Sequence, residues 1–315
     1  MSFLFPLLRL PGVVLFKVFK SLSIGEKIKL SFCSKKVSIQ INIARFYSQK
    51  VVIDLDCLSY KIRVHSENTK DAFEIFNCSN SGTINNHMPQ YRIEGRTVPV
   101  YSSIKGMITL WKNHRKGFLY VIRYLLKMFR CKFSINNDYN SDMYEKTISE
   151  LFDLQVEFKK LTIDFEELKN QYLLWNQIST NLELVEDLRI FSVVNPDFTP
   201  VFTSWPQNIN ISSADWFTLE YLLACTCTTI QLWNAPLRNK DLDMILKNWQ
   251  AGGFPNLKYL KFYSQRIKEN ESTILGMKLR ELAGMVIRTD DGSKKPTINT
   301  GYCRILKLHV EMRIL

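Results

Sequence analysis

Four histidines, His65, His87, His114 and His309, are the residues best suited to proton transfer or metal ligation near neutral pH. None stands beside a Cys, His or carboxylate at the spacing of a zinc-binding motif, so each reads as a surface or hydrogen-bonded histidine. Cys225 and Cys227 are separated by one residue, not the two of redox and zinc motifs. They close an apolar helix pattern just before an apolar strand pattern, which predicts burial. Asp54 and Asp56 fall on one face of a β-prone run and could in principle hold a metal or share a proton; a solvated strand edge is the simpler expectation. The chain has no GxGxxG, GxxxxGK[ST] or GxSxG, and Asp290–Lys295 reads as a polar turn rather than a phosphate cradle. The 39 aromatic residues fall in apolar positions that suit a core better than base stacking. The expectation is a non-catalytic protein with no metal, no cofactor and no catalytic residues.

Composition narrows the classes further. With 315 residues, 46% apolar and 23% charged, the chain is long enough for one sizeable core or two domains and is ordinary for a globular protein. The formal charge is +12. Nine lysines and arginines against one glutamate put +8 of it in residues 1–50, leaving +4 for the other 265. That concentration on one segment argues against nucleic acid as the main partner, because nucleic-acid binders lay their cations along a groove or face. The apolar run Phe3–Phe16 is broken by Arg9 and two prolines and is followed by no small-residue cleavage site. No stretch reaches the length of a membrane span. Seven cysteines at scattered spacing suit reduced thiols, and with them a place in the cytoplasm or nucleus.

Stepping along the chain, Leu10-Pro11 opens a helix, with proline at a first position where no amide is lost. Val14, Leu15, Val18, Phe19 and Leu22 then mark one apolar face. Ser23-Ile24-Gly25-Glu26 is a capping-box pattern that starts a second helix, continued by Ile28 and Leu30–Cys33. The order Leu10-Pro11, Val14-Leu15, Val18-Phe19, Leu22-Ser23, Glu26, Ile28, Leu30, Lys35-Lys36 resembles, without a gap, the F-box motif, and Phe5–Arg9 looks like the lead-in of the F-box proteins expanded in nematodes. Gly12, Val13, Ile24 and Val37 depart from the common pattern. The resemblance implies a three-helix module over residues 1–46 that docks on the Skp adaptor of a cullin-RING ubiquitin ligase. It implies a third helix over Lys35–Phe46, although Val37, Ile39, Ile41 and Ile43 alternate as in a strand. Leu10, Pro11, Val14, Leu15, Val18, Phe19, Leu22, Ile28 and Leu30 would be shared between the adaptor interface and the small helical core. Skp adaptors are acidic, so Lys17, Lys20, Lys27, Lys29, Lys35 and Lys36 are expected to steer the encounter.

Residues 47–150 read as a mixed connecting region: strands at Lys50–Asp56, Tyr60–Val64, Ala72–Phe76 and Arg96–Tyr101, a loop over Asn77–Arg96, a helix over Gly117–Phe129, and a strand through Cys131, Phe133 and Ile135. From 151 to 315 a triplet of apolar residues recurs: Phe158-Leu161-Ile163, Val185-Leu188-Ile190, Pro206-Ile209-Ile211, Cys227-Ile230-Leu232, Leu257-Leu260-Phe262, Leu282-Met285-Ile287 and Cys303-Leu306-Leu308. The spacing is near that of leucine-rich repeats. Helices are expected over Glu166–Gln177, over Ser213–Cys225 with a Ser212/Asp215 cap, and over Lys240–Trp249, entered at Asn239 and stopped at Gly252-Gly253. Glu166, Ala235 and Gln265 stand where such repeats carry asparagine, and a compact α+β domain with a mixed sheet is the other reading. Pro206–Gln265 resembles the F-box-associated domain, type 2. The overall expectation is an α+β or α/β chain in which a three-helix F-box precedes an irregular, leucine-rich-repeat-like body.

Two functions of different class follow. The first is the substrate-recognition subunit of a cullin-RING ligase, as the resemblance implies, with a Skp-type adaptor and an unknown protein target as partners. The second is a ligase-independent scaffold or a basic nucleic-acid-associated module. In a stacked-strand body the side chains between buried ones face outward. That points to Thr162, Arg189, Asn210, Gln231 and Lys261, followed by Asp164, Trp233 and Tyr263, with Gln231, Trp233, Lys261 and Tyr263 as the target-binding candidates.

Overall fold

The computed structural model describes residues 7–44, 51–79, 88–129, 131–136, 142–165, 168, 171–191, 200–269, 272–292, 295–302 and 308–314. The expectations for His87, Cys303, Leu306 and the start of a helix at Glu166 lie outside the described residues. The chain divides into two compact units, residues 1–148 and 149–315, joined within one helix. The fold is mixed α+β, with N-terminal helices ahead of a strand-rich body.

Unit 1 opens with a short 3-10 turn, Leu7–Arg9, and three helices, α1 (Gly12–Ser21), α2 (Ile24–Cys33) and α3 (Lys35–Ala44). Pro11 is the residue before α1, one position earlier than expected, and its carbonyl accepts from the amides of Val14 and Leu15, both at 2.9 Å. The capping box of α2 forms in full: the Ser23 hydroxyl accepts the Glu26 amide and the Glu26 carboxylate accepts the Ser23 amide at 2.7 Å. The alternating isoleucines do not make a strand. On α3, Val37 and Ile41 are buried one turn apart, and Ile39 and Ile43 fall on the opposite, exposed stripe. A period of two and a period of 3.6 coincide over so short a run, and packing of Val37 and Ile41 decides for the helix.

The strands of unit 1 are β1 (Val51–Asp56), β2 (Lys61–Ser66), β3 (Ala72–Ser79), β4 (Gln90–Ile93), β5 (Arg96–Ser102), β6 (Gly106–Trp111) and β7 (Cys131–Ile135), in the order β7-β1-β2-β3-β6-β5-β4. β1 pairs antiparallel with β2 and parallel with β7. α4 (His114–Met128) packs on β3 and β6. It begins three residues earlier than expected because Asn113 caps it, its side-chain oxygen accepting the Lys116 amide at 3.0 Å. β4 corrects part of the expected loop. β6, with Met107, Thr109 and Trp111 buried at alternate positions, and α5 (Asp142–Asp153) had no counterpart in the sequence reading.

Unit 2 holds β8 (Phe158–Ile163), β9 (Asp187–Ile190), β10 (Asn208–Ile211), β11 (Thr229–Leu232), β12 (Tyr259–Ser264), β13 (Pro296–Tyr302) and β14 (Leu308–Ile314), ordered β13-β14-β12-β11-β10-β9-β8. β8 to β12 are parallel, and the triplets stand in exact register: Leu161, Leu188, Ile209, Ile230 and Leu260 form one row, Ile163, Ile190, Ile211, Leu232 and Phe262 the next. Both rows are fully buried. α6 (Gln171–Ile178), α7 (Leu219–Ala224) and α8 (Asn239–Gln250) lie in the crossovers. The repeat holds for five rungs and then stops. Leu282 ends a 3-10 turn, and Leu308 starts β14, which returns antiparallel along β12 and carries Met312 and Val310 into the same two rows.

Two helix starts differ from expectation. α7 is shorter than Ser213–Cys225 and begins after Thr218, because the Ala214 amide is committed to the Trp233 carbonyl at 2.7 Å. At α8, Asp241 caps the helix through the Arg238 amide, at 2.8 Å. Asn239 instead pins the loop that follows β12, accepting from the Lys268 amide and donating to its carbonyl, at 2.9 and 2.8 Å.

Candidate protein-interaction surfaces

The nine N-terminal residues singled out from the sequence separate by depth. Leu15, Phe19 and Ile28 are core, each contributing roughly 1.5–3 kcal/mol of burial, and Leu10, Val18, Leu22 and Leu30 are half-buried. Pro11 and Val14 face outward, Val14 at 42% exposure. Four further apolar residues are exposed that the sequence reading did not select: Leu8, Val13 at 70%, and Ile39 and Ile43 of α3 at 49% and 42%. Val13 is one of the departures from the common F-box pattern, and Ile39 and Ile43 are half of the alternation that also fits a strand. Together with Val14 they give α1 and α3 an apolar surface, the kind of surface at which protein interaction sites are sought.

The other side of α2 is anchored to the sheet of unit 1. Gly25 lets the helix lie against Phe73 so closely that a Cβ there would stand 2.5 Å from the ring. Asp71 accepts the Ile24 amide at 2.8 Å, Lys29 donates to the Ser103 carbonyl at 2.5 Å, and the Tyr124 hydroxyl donates to Ser31 at 2.8 Å. Asn42 of α3 donates to the Lys127 carbonyl. This corrects the steering set. Lys27 is buried, its ammonium pushed down by desolvation and partly held up by Asp71, and Lys29 is engaged. Lys17, Lys20, Lys35 and Lys36 remain exposed.

In unit 2 the positions between the buried rows form one face of the sheet. Arg189, Asn210, Gln231 and Lys261 align across β9 to β12, and Glu311 continues the row on β14. Trp233 stacks on Tyr263, centroids 4.1 Å apart and planes 9° apart, and His309 follows at 5.7 Å. His309 fits because Gly301 lies opposite, where a Cβ would stand 2.6 Å from the imidazole. Burial alone would depress the Lys261 ammonium. Its bond to Tyr263 and the nearby Glu311 carboxylate, 3.5 Å away, carry it above the ordinary lysine range. Thr162 and Asp164 were expected to be exposed and are buried; Tyr263 is also covered, whereas Trp233 is 40% exposed. Gln231 and Lys261 are half-buried on the same face. The charges along this face are paired: Asp187 with Arg189, and Glu311 with Lys261 and Arg313. Its centre is therefore amides, hydroxyls and aromatic rings.

The remaining chemistry-bearing residues serve structure. Asp56 accepts the amides of Leu58 and Ser59, at 3.1 and 2.8 Å, and closes the β1–β2 turn. Asp54 is not a bare edge: its carboxylate meets His65 Nε2 at 3.0 Å, and His65 is buried with Nδ1 2.8 Å from the Ser66 carbonyl. Cys225 and Cys227 are both buried, and the Cys227 thiol is pushed up by its bond to Cys225 and by desolvation. Among the described residues no group of three His, Cys, Asp or Glu could hold a metal ion, and no helix is long and apolar enough to cross a membrane.

The comparisons with known proteins fall on these same two regions. A family model for the F-box domain matches residues 7–49, covering α1 to α3, and one described as F-box associated matches residues 200–262, covering β10 to β12. The chain is 22% identical over 321 residues to the E3 ubiquitin-protein ligase hecw-1 of Caenorhabditis elegans, an alignment that takes in 90% of this chain and 25% of that protein. The chain thus spans about a quarter of that curated relative's length. No solved structure matches it. The chain thus carries a match to the F-box domain at residues 7–49 and a match to the F-box-associated domain at residues 200–262.

Proposed function

We propose that this protein is the substrate-recognition subunit of an SCF-type cullin-RING ubiquitin ligase, acting in the cytoplasm or nucleus. The F-box domain carries the proposal, because F-box domains couple a target-binding body to a Skp-type adaptor. The name of the C. elegans relative is in keeping with ubiquitin transfer; the catalytic step belongs to other subunits in this reading. Leu10, Pro11, Val14, Val18 and Leu22, joined by Val13, Ile39 and Ile43, contact the adaptor, while Leu15, Phe19 and Ile28 hold the helices that present them. The sheet face of unit 2 takes the target, with Trp233 as the exposed aromatic anchor of the kind that dominates interfaces, Gln231 and Lys261 as polar contacts, and Tyr263 as the support beneath Trp233.

Pull-down with a Skp-type adaptor tests the first half. Pro11→Ala with Val14→Asp alters two exposed positions, so the fold persists while adaptor capture is lost; undiminished capture sinks the assignment. For the second half, Trp233→Ala with Gln231→Ala should leave adaptor capture intact and deplete the proteins that accumulate with the receptor when the proteasome is inhibited. An unchanged set would place the target elsewhere.

A further inference from the structure

Residues 90–132 contain ten lysines and arginines and one acid, Glu94. In unit 1 this stretch becomes β4, β5, β6 and α4, and two cavities that share Gly95 are lined by five of its ten cations. One, of about 590 Å³, lies between the start of α4 and the β4–β5 hairpin; Arg96, Lys112 and Lys116 line it, with no carboxylate in the lining. The other, of about 840 Å³, adds Lys35, Arg92 and Lys127, and its one acid, Glu94, already stands 2.6 Å from the Lys127 ammonium. Lys112 and Lys116 are exposed and have no ion-pair partner among the described residues. The first turn of α4, His114-Arg115-Lys116, has no acid, so its charges oppose the helix dipole. Charge of one sign concentrated in a concave site attracts the other sign.

We propose that this groove docks an acidic segment of a partner protein, whose carboxylates accept charge-assisted hydrogen bonds from Arg96, Lys112 and Lys116. The aromatic rings in the groove are already engaged. The Arg96 guanidinium lies 5.2 Å over the Tyr120 ring, which also meets Trp111 at 5.8 Å, and Tyr124 stacks on Phe32 at 5.0 Å. Single-stranded nucleic acid binds by stacking bases on free rings, and the groove leaves none for it; carboxylates need only the cations. Arg96, Lys112 and Lys116 belong to neither α1 nor α3; Lys35 and Ile39 of α3 line only the second cavity, so the three proposed contacts lie apart from the adaptor-facing residues.

Fluorescence anisotropy of a dye-labelled oligo-glutamate peptide titrated with the full chain tests the proposal. Binding is expected at low salt and weakens as salt rises. Reversing two close charges in Lys112→Glu/Lys116→Glu should weaken it by about tenfold or more, whereas Lys240→Glu/Lys258→Glu, the same charge change at exposed positions of unit 2, leaves it intact. Arg96→Gln, expected to give a partial loss, decides the matter if the double reversal does not fold. No binding at low salt, equal affinity in the groove variants and the parent, equal loss in the unit 2 variant, or preference for a single-stranded DNA of matching charge overturns the proposal.

Discussion

Lys27 places an ammonium in the seam between α2 and the sheet, where burial pushes its pKa below the ordinary value of 10.5 and Asp71 and Glu26 offset only part of that. The unfolded chain therefore holds this proton more tightly than the native one, so Lys27 costs stability at neutral pH. Stability should rise as pH climbs through the lowered native value toward 10.5, the window in which only the unfolded chain is charged. Lys27→Met keeps the stem's packing and removes the charge; replacing a buried ion with an apolar group is often neutral or stabilising. Urea denaturation across that alkaline range should show the parent gaining stability relative to the variant as pH rises, and a difference between the two that does not change with pH contradicts the account. Gly25 in the same seam tests the packing. Gly25→Ala drives a methyl into Phe73 and should cost about 1–3 kcal/mol, with part recovered by Phe73→Leu; full stability in the single variant would show that α2 does not lie so close.

The F-box helices are held by one cap and one choice of stripe. Bonds from the Ser23 backbone and hydroxyl pull the Glu26 carboxylate below its ordinary 4.5, so its support for α2 is present above that value and fades as pH falls through the lowered native one. Ser23→Ala should cost about 0.5–2 kcal/mol at neutral pH, and the gap to the parent should narrow in acid. A constant gap across the titration would assign the loss to something other than the capping box. On α3, Ile41→Ala should destabilise by about 2–5 kcal/mol, while Ile39→Ala should stay within about 0.5 kcal/mol, as surface changes do. Equal losses at the two sites, measured by thermal unfolding, would favour the strand pattern that the alternation suggested.

Across the whole molecule charge is unevenly placed. The F-box domain and the α4 groove carry unbalanced cations, whereas the unit 2 sheet face pairs its ions internally. Partners of the two kinds should respond differently to salt. Association with an acidic adaptor should slow as ionic strength rises, through Lys17, Lys20, Lys35 and Lys36, with dissociation changing less. A target held by amides and Trp233 should show little salt dependence. Stopped-flow rates for the adaptor that ignore salt would reduce those four lysines to a solvated surface.

Much of this was legible in the residues. The Ser23–Glu26 cap is local chemistry, three residues apart, and needs no tertiary partner; the five apolar triplets keep their order because each rung buries the same two positions between parallel neighbours. The end of the repeat at β12 was not legible, since Leu282 and Leu308 satisfy the pattern and only the antiparallel return of β14 distinguishes them. The same limit hid the fate of α3, where one set of isoleucines fits two periods until Val37 and Ile41 find a core. It also hid the exposure of Thr162 and Asp164 against Gln231 and Trp233, which share a pattern but not an environment. The basic groove was present in composition, ten cations to one acid over residues 90–132, yet a sum over residues 51–315 cancels it against acids elsewhere. Only folding, by bringing Arg96 of β5 to Lys112 and Lys116 beside α4, turns that local excess into a field that a partner can feel.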